Sequence, residues 1–264
     1  MEIGERKIYP LNLKIEERKI GERIICSLER KEGVRNTSKV KFKHYLYTFL
    51  FPPIALILVL IFSGNIFWHE GLLFFYISIS MSYFISVYLI LYNPALLLER
   101  FKFQSPDQDR NDKGFVKNIG RYLFLLFYII IPIDQRYTLF PNFSLTTNYI
   151  AAFIVFLSYL IIFYVFKHNS FASPIIRNQK ERNHQIISTG IYSVVRHPMY
   201  TACVLLFISL PVLLDSLYGI IIGIYLTIIF SKRIQIEEKF LLNEFQEYLN
   251  YKKKVKYKIF PYIY

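Results

Sequence analysis

The chain has 264 residues, 54% of them hydrophobic and 18% aromatic, with a formal net charge of +13 and a positive mean hydropathy. It is too apolar for an ordinary soluble domain, and its apolar residues gather into long runs, which marks an all-α, polytopic membrane helix bundle. Lys and Arg lie between the runs, where the bias of cytoplasmic loops accounts for them without a nucleic-acid partner; Cys26 and Cys203 sit in unlike settings and provide neither a disulfide framework nor a metal site.

Residues 1–44 read as a basic cytoplasmic arm. They are charged throughout, with the near-repeats "GERKI" and "EERKIGERII", and no apolar h-region marks a cleavable signal peptide. Ile20, Ile24 and Leu28 share one helical face, which suits an interfacial helix on anionic lipid; a solvated arm fits the composition equally.

Four apolar runs follow within residues 45–168: Tyr45 to Trp68, Leu72 to Tyr92, Tyr122 to Pro132 with a continuation toward Phe140, and Tyr149 to Phe166. Each of the first two has the roughly 20 residues that cross a hydrocarbon core. Pro52 and Pro53 are expected in the first turn or at a kink, because proline lacks the N–H a helix interior uses. Asp134, Gln135 and Arg136 interrupt the third run.

Residues 169–264 form the last division. Two shorter runs, Met199 to Leu214 and Leu217 to Phe230, are separated by Asp215 and Ser216 and read as a tight hairpin, with one long kinked helix as the alternative. About six crossings result. Lys and Arg crowd the N-terminal segment, residues 94–121, residues 167–196 and the C-terminal segment, so both termini and these loops are expected in the cytoplasm. Beyond the sixth run, "RIQIEEKFLLNEFQEYLNY" carries Leu241, Leu242, Phe245 and Tyr248 at helical spacing, which predicts a separate cytoplasmic amphipathic helix. Arg233 and Glu237 share one face of it, four residues apart, and Glu238 is turned about a hundred degrees away.

At the edge of the fifth run stands "GIYSVVRHPMY". Pro198 suits a first helical turn, where its missing N–H costs nothing, so a helix begins at the Arg-His-Pro triplet. Its free N–H groups, with Arg196, favour an anion there. Arg196 and His197 are equally compatible with anchors that snorkel to lipid headgroups, and Arg233 with Glu237 is compatible with an ordinary surface ion pair.

Taken together, "NQKERNHQIISTGIYSVVRHPMY", "RIQIEEKFL", "FQEYLNYKKKV" and Pro261 resemble the isoprenylcysteine carboxyl methyltransferase family, and more loosely the phospholipid N-methyltransferases. The match covers about residues 169 to 261, with "NPALLLERF", the later "DK" at 112–113 and Asp134–Arg136 as a weaker upstream likeness. Ala202 and Gln246 stand where many relatives carry glycine. The resemblance implies a methyltransferase using S-adenosylmethionine, its pocket built from cytoplasmic helix ends, with a lipid or lipidated acceptor from the bilayer. No glycine-rich turn after a predicted strand supports a soluble-type cofactor fold.

By the same resemblance, Gln179, the segment His184, Gln185, Ile186 and Ile187, Tyr192, the segment His197, Pro198, Met199 and Tyr200, and Glu237 contact the cofactor, Arg233 faces the acceptor, and Arg196 is a further cation at the site. Arg233 beside an apolar bundle suits carboxyl O-methylation. N-methylation of an amino phospholipid would need a base such as Glu237, Glu238 or His184; a non-enzymatic scaffold is the third reading.

Overall fold

A backbone in hydrocarbon satisfies its own N–H and C=O groups most readily as a helix, and the apolar runs fold accordingly. The computed structural model describes residues 40–137 and 143–263. The face at Ile20, Ile24 and Leu28 and residues 138–140, the last part of the third run's continuation toward Phe140, lie outside the described residues; as far as Tyr137 that continuation is helical. In chain order the helices are α1 (Phe42–Ser63), α2 (His69–Tyr92), α3 (Pro94–Arg100), α4 (Arg110–Leu125), α5 (Ile131–Tyr137), α6 (Leu145–His168), α7 (Pro198–Leu213), α8 (Leu217–Glu244) and α9 (Tyr248–Lys254). No strand occurs among the described residues.

Among the described residues, five helical stretches are long and apolar enough to cross a membrane: α1, α2, the stretch Arg110–Tyr137, α6 and α8. The protein is an integral, multi-pass membrane protein. The third span joins α4 to α5 through a π-helical segment, Leu126–Ile130, so the polar interruption at Asp134 to Arg136 stays inside the helix. α7 has 16 residues, about 24 Å at 1.5 Å per residue, and packs between α6 and α8.

One sequence expectation is narrowed and another corrected. Pro52 and Pro53 lie inside α1, which excludes the first turn, one of the two places expected for them. Pro53 cannot donate to the Phe49 carbonyl four residues back, and the Tyr83 hydroxyl of α2 donates to that carbonyl at 2.7 Å instead. The separate C-terminal amphipathic helix is absent: α8 runs unbroken from the bilayer run to Glu244, because Ser231 to Glu244 contains neither Gly nor Pro to end it. Phe245 is its C-cap and Tyr248 opens α9.

The hairpin itself stands, turned by Asp215 at φ 51° and capped by Ser216, whose side chain accepts from Gly219 N. At this end Asp215 accepts from Phe143 N at 2.9 Å and from the Asn148 amide, and Asp134 accepts from the Ser216 hydroxyl at 2.6 Å. The opposite end gathers the start of α4, the end of α6, the start of α7 and the last turns of α8.

Candidate functional site

The start of α7 is held by the chain that follows α9. Arg196 N donates to Tyr257 O at 3.0 Å and His197 N to Lys258 O at 2.8 Å. Pro198 occupies the first helical turn. The Arg196 side chain is buried and fully engaged: Nε and Nη2 reach Glu238 Oε1 at 2.7 and 2.6 Å, and Nη1 donates to the carbonyls of Val255 and Lys256, each at 2.7 Å. Glu238 also meets Lys252 at 3.0 Å and His197 at 3.3 Å.

Glu237, its neighbour, is in a different state. It accepts a hydrogen bond from the Tyr200 hydroxyl and is in no ion pair among the described residues. The ordinary surface ion pair of Arg233 with Glu237, the alternative the sequence left open, is not formed. Arg233 Nε donates to Asp112 Oδ1 of α4 at 3.0 Å and Nη2 to Pro174 O at 2.6 Å, with the guanidinium over the rings of Phe115 and Tyr200. Asp112 is fully buried and spends its other oxygen on Gln108 at 2.9 Å and Ile176 N at 2.8 Å. α8, α4 and the loop after α6 are thus tied at one carboxylate.

That loop, residues 169–197, forms much of the remaining wall. Arg177 locks it by ion pairs to Glu99 of α3 and Asp107, both at 2.8 Å, and to Glu181. Burial opposes the Arg177 charge, but bonds to Glu99, Glu181 and Asp107 outweigh it and raise its pKa. Gln179 is 1% exposed; its amide nitrogen donates to Phe171 O at 2.8 Å and its oxygen accepts from Arg182. The His184 ring lies between those of Phe171 and Phe245. Burial, with the nearby Arg182 and Arg177 charges, lowers its pKa to about 4, so the imidazole is neutral at physiological pH.

Gly190 opens the short turn that delivers Tyr192. Its φ of +62° favours glycine, and a Cβ there would lie 2.3 Å from the His168 ring. Tyr192 is buried; its hydroxyl accepts from Asn169 at 2.9 Å and its carbonyl from the Tyr251 hydroxyl at 2.7 Å.

These elements enclose a cavity of about 340 Å³. Every candidate residue lines it: Gln179, His184, Gln185, Ile186, Ile187, Tyr192, Arg196, His197, Pro198, Met199, Tyr200, Arg233 and Glu237. Asp112 neutralises Arg233 and Arg100 lines the cavity; sequence reasoning gave no role to either, although both fall in the upstream stretches of the resemblance. It placed Tyr248 only in an apolar stripe, yet the Tyr248 side chain lines the cavity and its buried hydroxyl has no hydrogen-bond partner.

Residues 146–248 match the family model described as phospholipid methyltransferase. An 85-residue stretch is 40% identical to a protein-S-isoprenylcysteine O-methyltransferase of Saccharomyces cerevisiae and 32% identical to one of Schizosaccharomyces pombe, covering 31% of this chain and 36% of each relative. A protein of the same name from Xenopus laevis is 39% identical over 85 residues, 29% of its length. The matched stretch thus spans about a third of these relatives.

Proposed function

We propose, from the match of residues 146–248 to the phospholipid methyltransferase family model, that this chain is a membrane methyltransferase that uses S-adenosylmethionine to methylate the carboxylate of a lipidated or membrane-partitioned acid. The observation that carries the reading is Glu237: a carboxylate in no ion pair among the described residues, facing a cavity lined by aromatic rings where α7 begins.

The residues suit this cofactor, which bears a sulfonium, an ammonium and a carboxylate. Glu237 is placed to accept from the amine or ribose hydroxyls, and the rings of Tyr192 and Tyr200 offer π faces to the sulfonium. Arg196, His197, Tyr200 and Thr201 already use their backbone N–H groups and Pro198 has none, so the start of α7 offers the cofactor's carboxylate the Met199 N–H and the positive end of the helix dipole. Tyr248, with an unpaired buried hydroxyl, gains a partner when a polar ligand enters, which removes the penalty of an orphaned donor. His184, Gln185, Ile186 and Ile187 line the wall beside it, while Gln179 and Arg196, whose polar groups are bound to the protein, hold that wall in place.

When bound, S-adenosylmethionine supplies a methyl group on positively charged sulfur; as a carboxylate oxygen forms the new O–C bond, the C–S bond breaks with its electron pair left on sulfur, giving an ester and S-adenosylhomocysteine. Both charges diminish, so the chain's task is alignment and exclusion of water. Arg233, aimed by Asp112 and stacked on Phe115 and Tyr200, faces the acceptor. No general base is required. An amine acceptor would have to lose a proton, and neutral His184 with a pKa of about 4 is a poor base for it. The basic character of residues 94–121 and 167–196 supports placing the cavity and both termini on the cytoplasmic side.

Purified protein incubated with methyl-labelled S-adenosylmethionine and native membrane extract tests the reading. Label released by mild base identifies an ester; base-stable label in phospholipid identifies the amine chemistry and overturns the carboxylate assignment.

A further inference from the structure

One cation of the cavity lacks a counter-ion among the described residues. Arg100, at the end of α3, lines the cavity, yet among the described residues no carboxylate pairs with it. Glu99 beside it serves Arg177 at 2.8 Å and Lys102 at 2.9 Å. What Arg100 does touch is weak: Nη1 lies 3.5 Å from Ala172 O, and the guanidinium lies 5.1 Å from the Phe166 ring centre. The other cavity arginines are matched, Arg196 by Glu238, Arg177 by three carboxylates and Arg233 by Asp112.

Arg100 is half-buried; a partly desolvated guanidinium without an anion is unfavourable, and the penalty is relieved when one arrives. Burial lowers the Arg100 pKa to about 10, which still leaves it charged at neutral pH. Its electrostatic neighbours are Cys203 and Arg233. Cys203 lies about one turn further into α7 than Tyr200, toward the bilayer and away from the helix start that suits the cofactor. Val116, Ile119 and Leu123 of α4 add an apolar wall to the same cavity. A planar fork beside that wall matches a carboxylate carried on an apolar body.

We propose that Arg100 is the anchor for the acceptor's carboxylate, holding a membrane-partitioned acid beside Arg233 with its apolar part along α4. The proposal rests on the methyltransferase reading and names the group that selects an acid over its neutral product. After transfer the ester has lost the charge that Arg100 holds, so the same residue favours release.

The test is direct binding to full-length detergent-solubilised protein of three probes: S-adenosylhomocysteine, N-acetyl-S-farnesyl-cysteine, and the methyl ester of the latter. In Arg100→Gln the acid should bind at least about tenfold more weakly, as expected for loss of a charge-assisted pair, with ester and S-adenosylhomocysteine affinities unchanged. Arg100→Lys should recover part of the acid binding. Retained S-adenosylhomocysteine affinity shows that each variant is folded. Weakening of S-adenosylhomocysteine alone would assign Arg100 to the cofactor's carboxylate and overturn the proposal. Equal weakening of acid and ester would reduce it to packing, and unchanged acid binding would also sink it. If wild-type protein binds S-adenosylhomocysteine but not the acid, the acceptor class is wrong while the methyltransferase reading stands. If it binds no S-adenosylhomocysteine, that reading fails by itself, and the acid-to-ester comparison still decides Arg100.

Discussion

Glu237 and Glu238 are adjacent and chemically identical, yet replacing each by Gln should produce different defects. Glu238 faces Arg196 through contacts of 2.7 and 2.6 Å, Lys252 at 3.0 Å and His197 at 3.3 Å. Glu238→Gln strips the buried Arg196 of its counter-ion, and breaking one partner of a buried pair costs about 3–5 kcal/mol. At roughly 2–4 °C per kcal/mol for a chain of this size, unfolding should fall by about 6–20 °C. Glu237 has no ion pair to lose and is only half-buried, so Glu237→Gln should unfold near the wild-type temperature. Its loss should appear in binding instead: a charge-assisted hydrogen bond is worth about 1.5–3 kcal/mol, which weakens S-adenosylhomocysteine by roughly 10- to 150-fold. Thermal unfolding in detergent and titration calorimetry on the same preparations separate the two. A folded Glu237→Gln protein with wild-type affinity would refute the reasoning, as would equal destabilisation by both substitutions.

Gly223→Ala should destabilise the hairpin by about 1–3 kcal/mol or more, since the new Cβ would stand 2.0 Å from the Phe207 carbonyl oxygen; a wild-type unfolding temperature would contradict this. His184 titrates near its ordinary 6.5 when unfolded and near 4 when folded, so between those values the unfolded chain binds more protons. Its contribution is therefore intact above about pH 6.5 and lost as pH falls toward 4, and His184→Asn should lose stability less steeply across that window in thermal melts; equal slopes would exclude the effect. With Cys26 and Cys203 removed, Lys180→Cys and Lys253→Cys should resist an impermeant thiol reagent in intact cells while Thr146→Cys reacts, and the opposite pattern would reverse the proposed orientation.

The spans were legible because each is a long apolar run bounded by charge. α6 differs from its expected limits by only a few residues, from Tyr149 to Leu145 at its start and from Phe166 to His168 at its end. Pro198 also marked the start of α7, since proline at a helix N-terminus carries its own positional signal. The continuity of α8 was harder to read: hydropathy drops after Phe230 although nothing in the backbone breaks, so a change of solvent looked like a change of element. Residues brought to the cavity by the Arg-His-Pro stretch were visible as a motif. Asp112 was not, because 121 residues separate it from Arg233, and no local period connects a carboxylate in α4 to a guanidinium in α8. Arg100 was equally hidden: its distinguishing property is the absence of a partner, which only the fold reveals.

The grip of Arg196 on Val255 and Lys256 bears on how the chain can be divided. The family match stops at residue 248, seven residues short of the first of these carbonyls, and begins after Glu99 and Asp112. A fragment cut to residues 146–248 would keep Arg177, Arg196 and Arg233 but discard Glu99, Asp107, Asp112 and Lys252, together with the backbone acceptors at 255 to 258. Three buried arginines would be left with much of their bonding severed. The recurrent unit of sequence and the smallest unit able to stand alone are therefore different objects in this protein, and the second extends at least from α3 to residue 258.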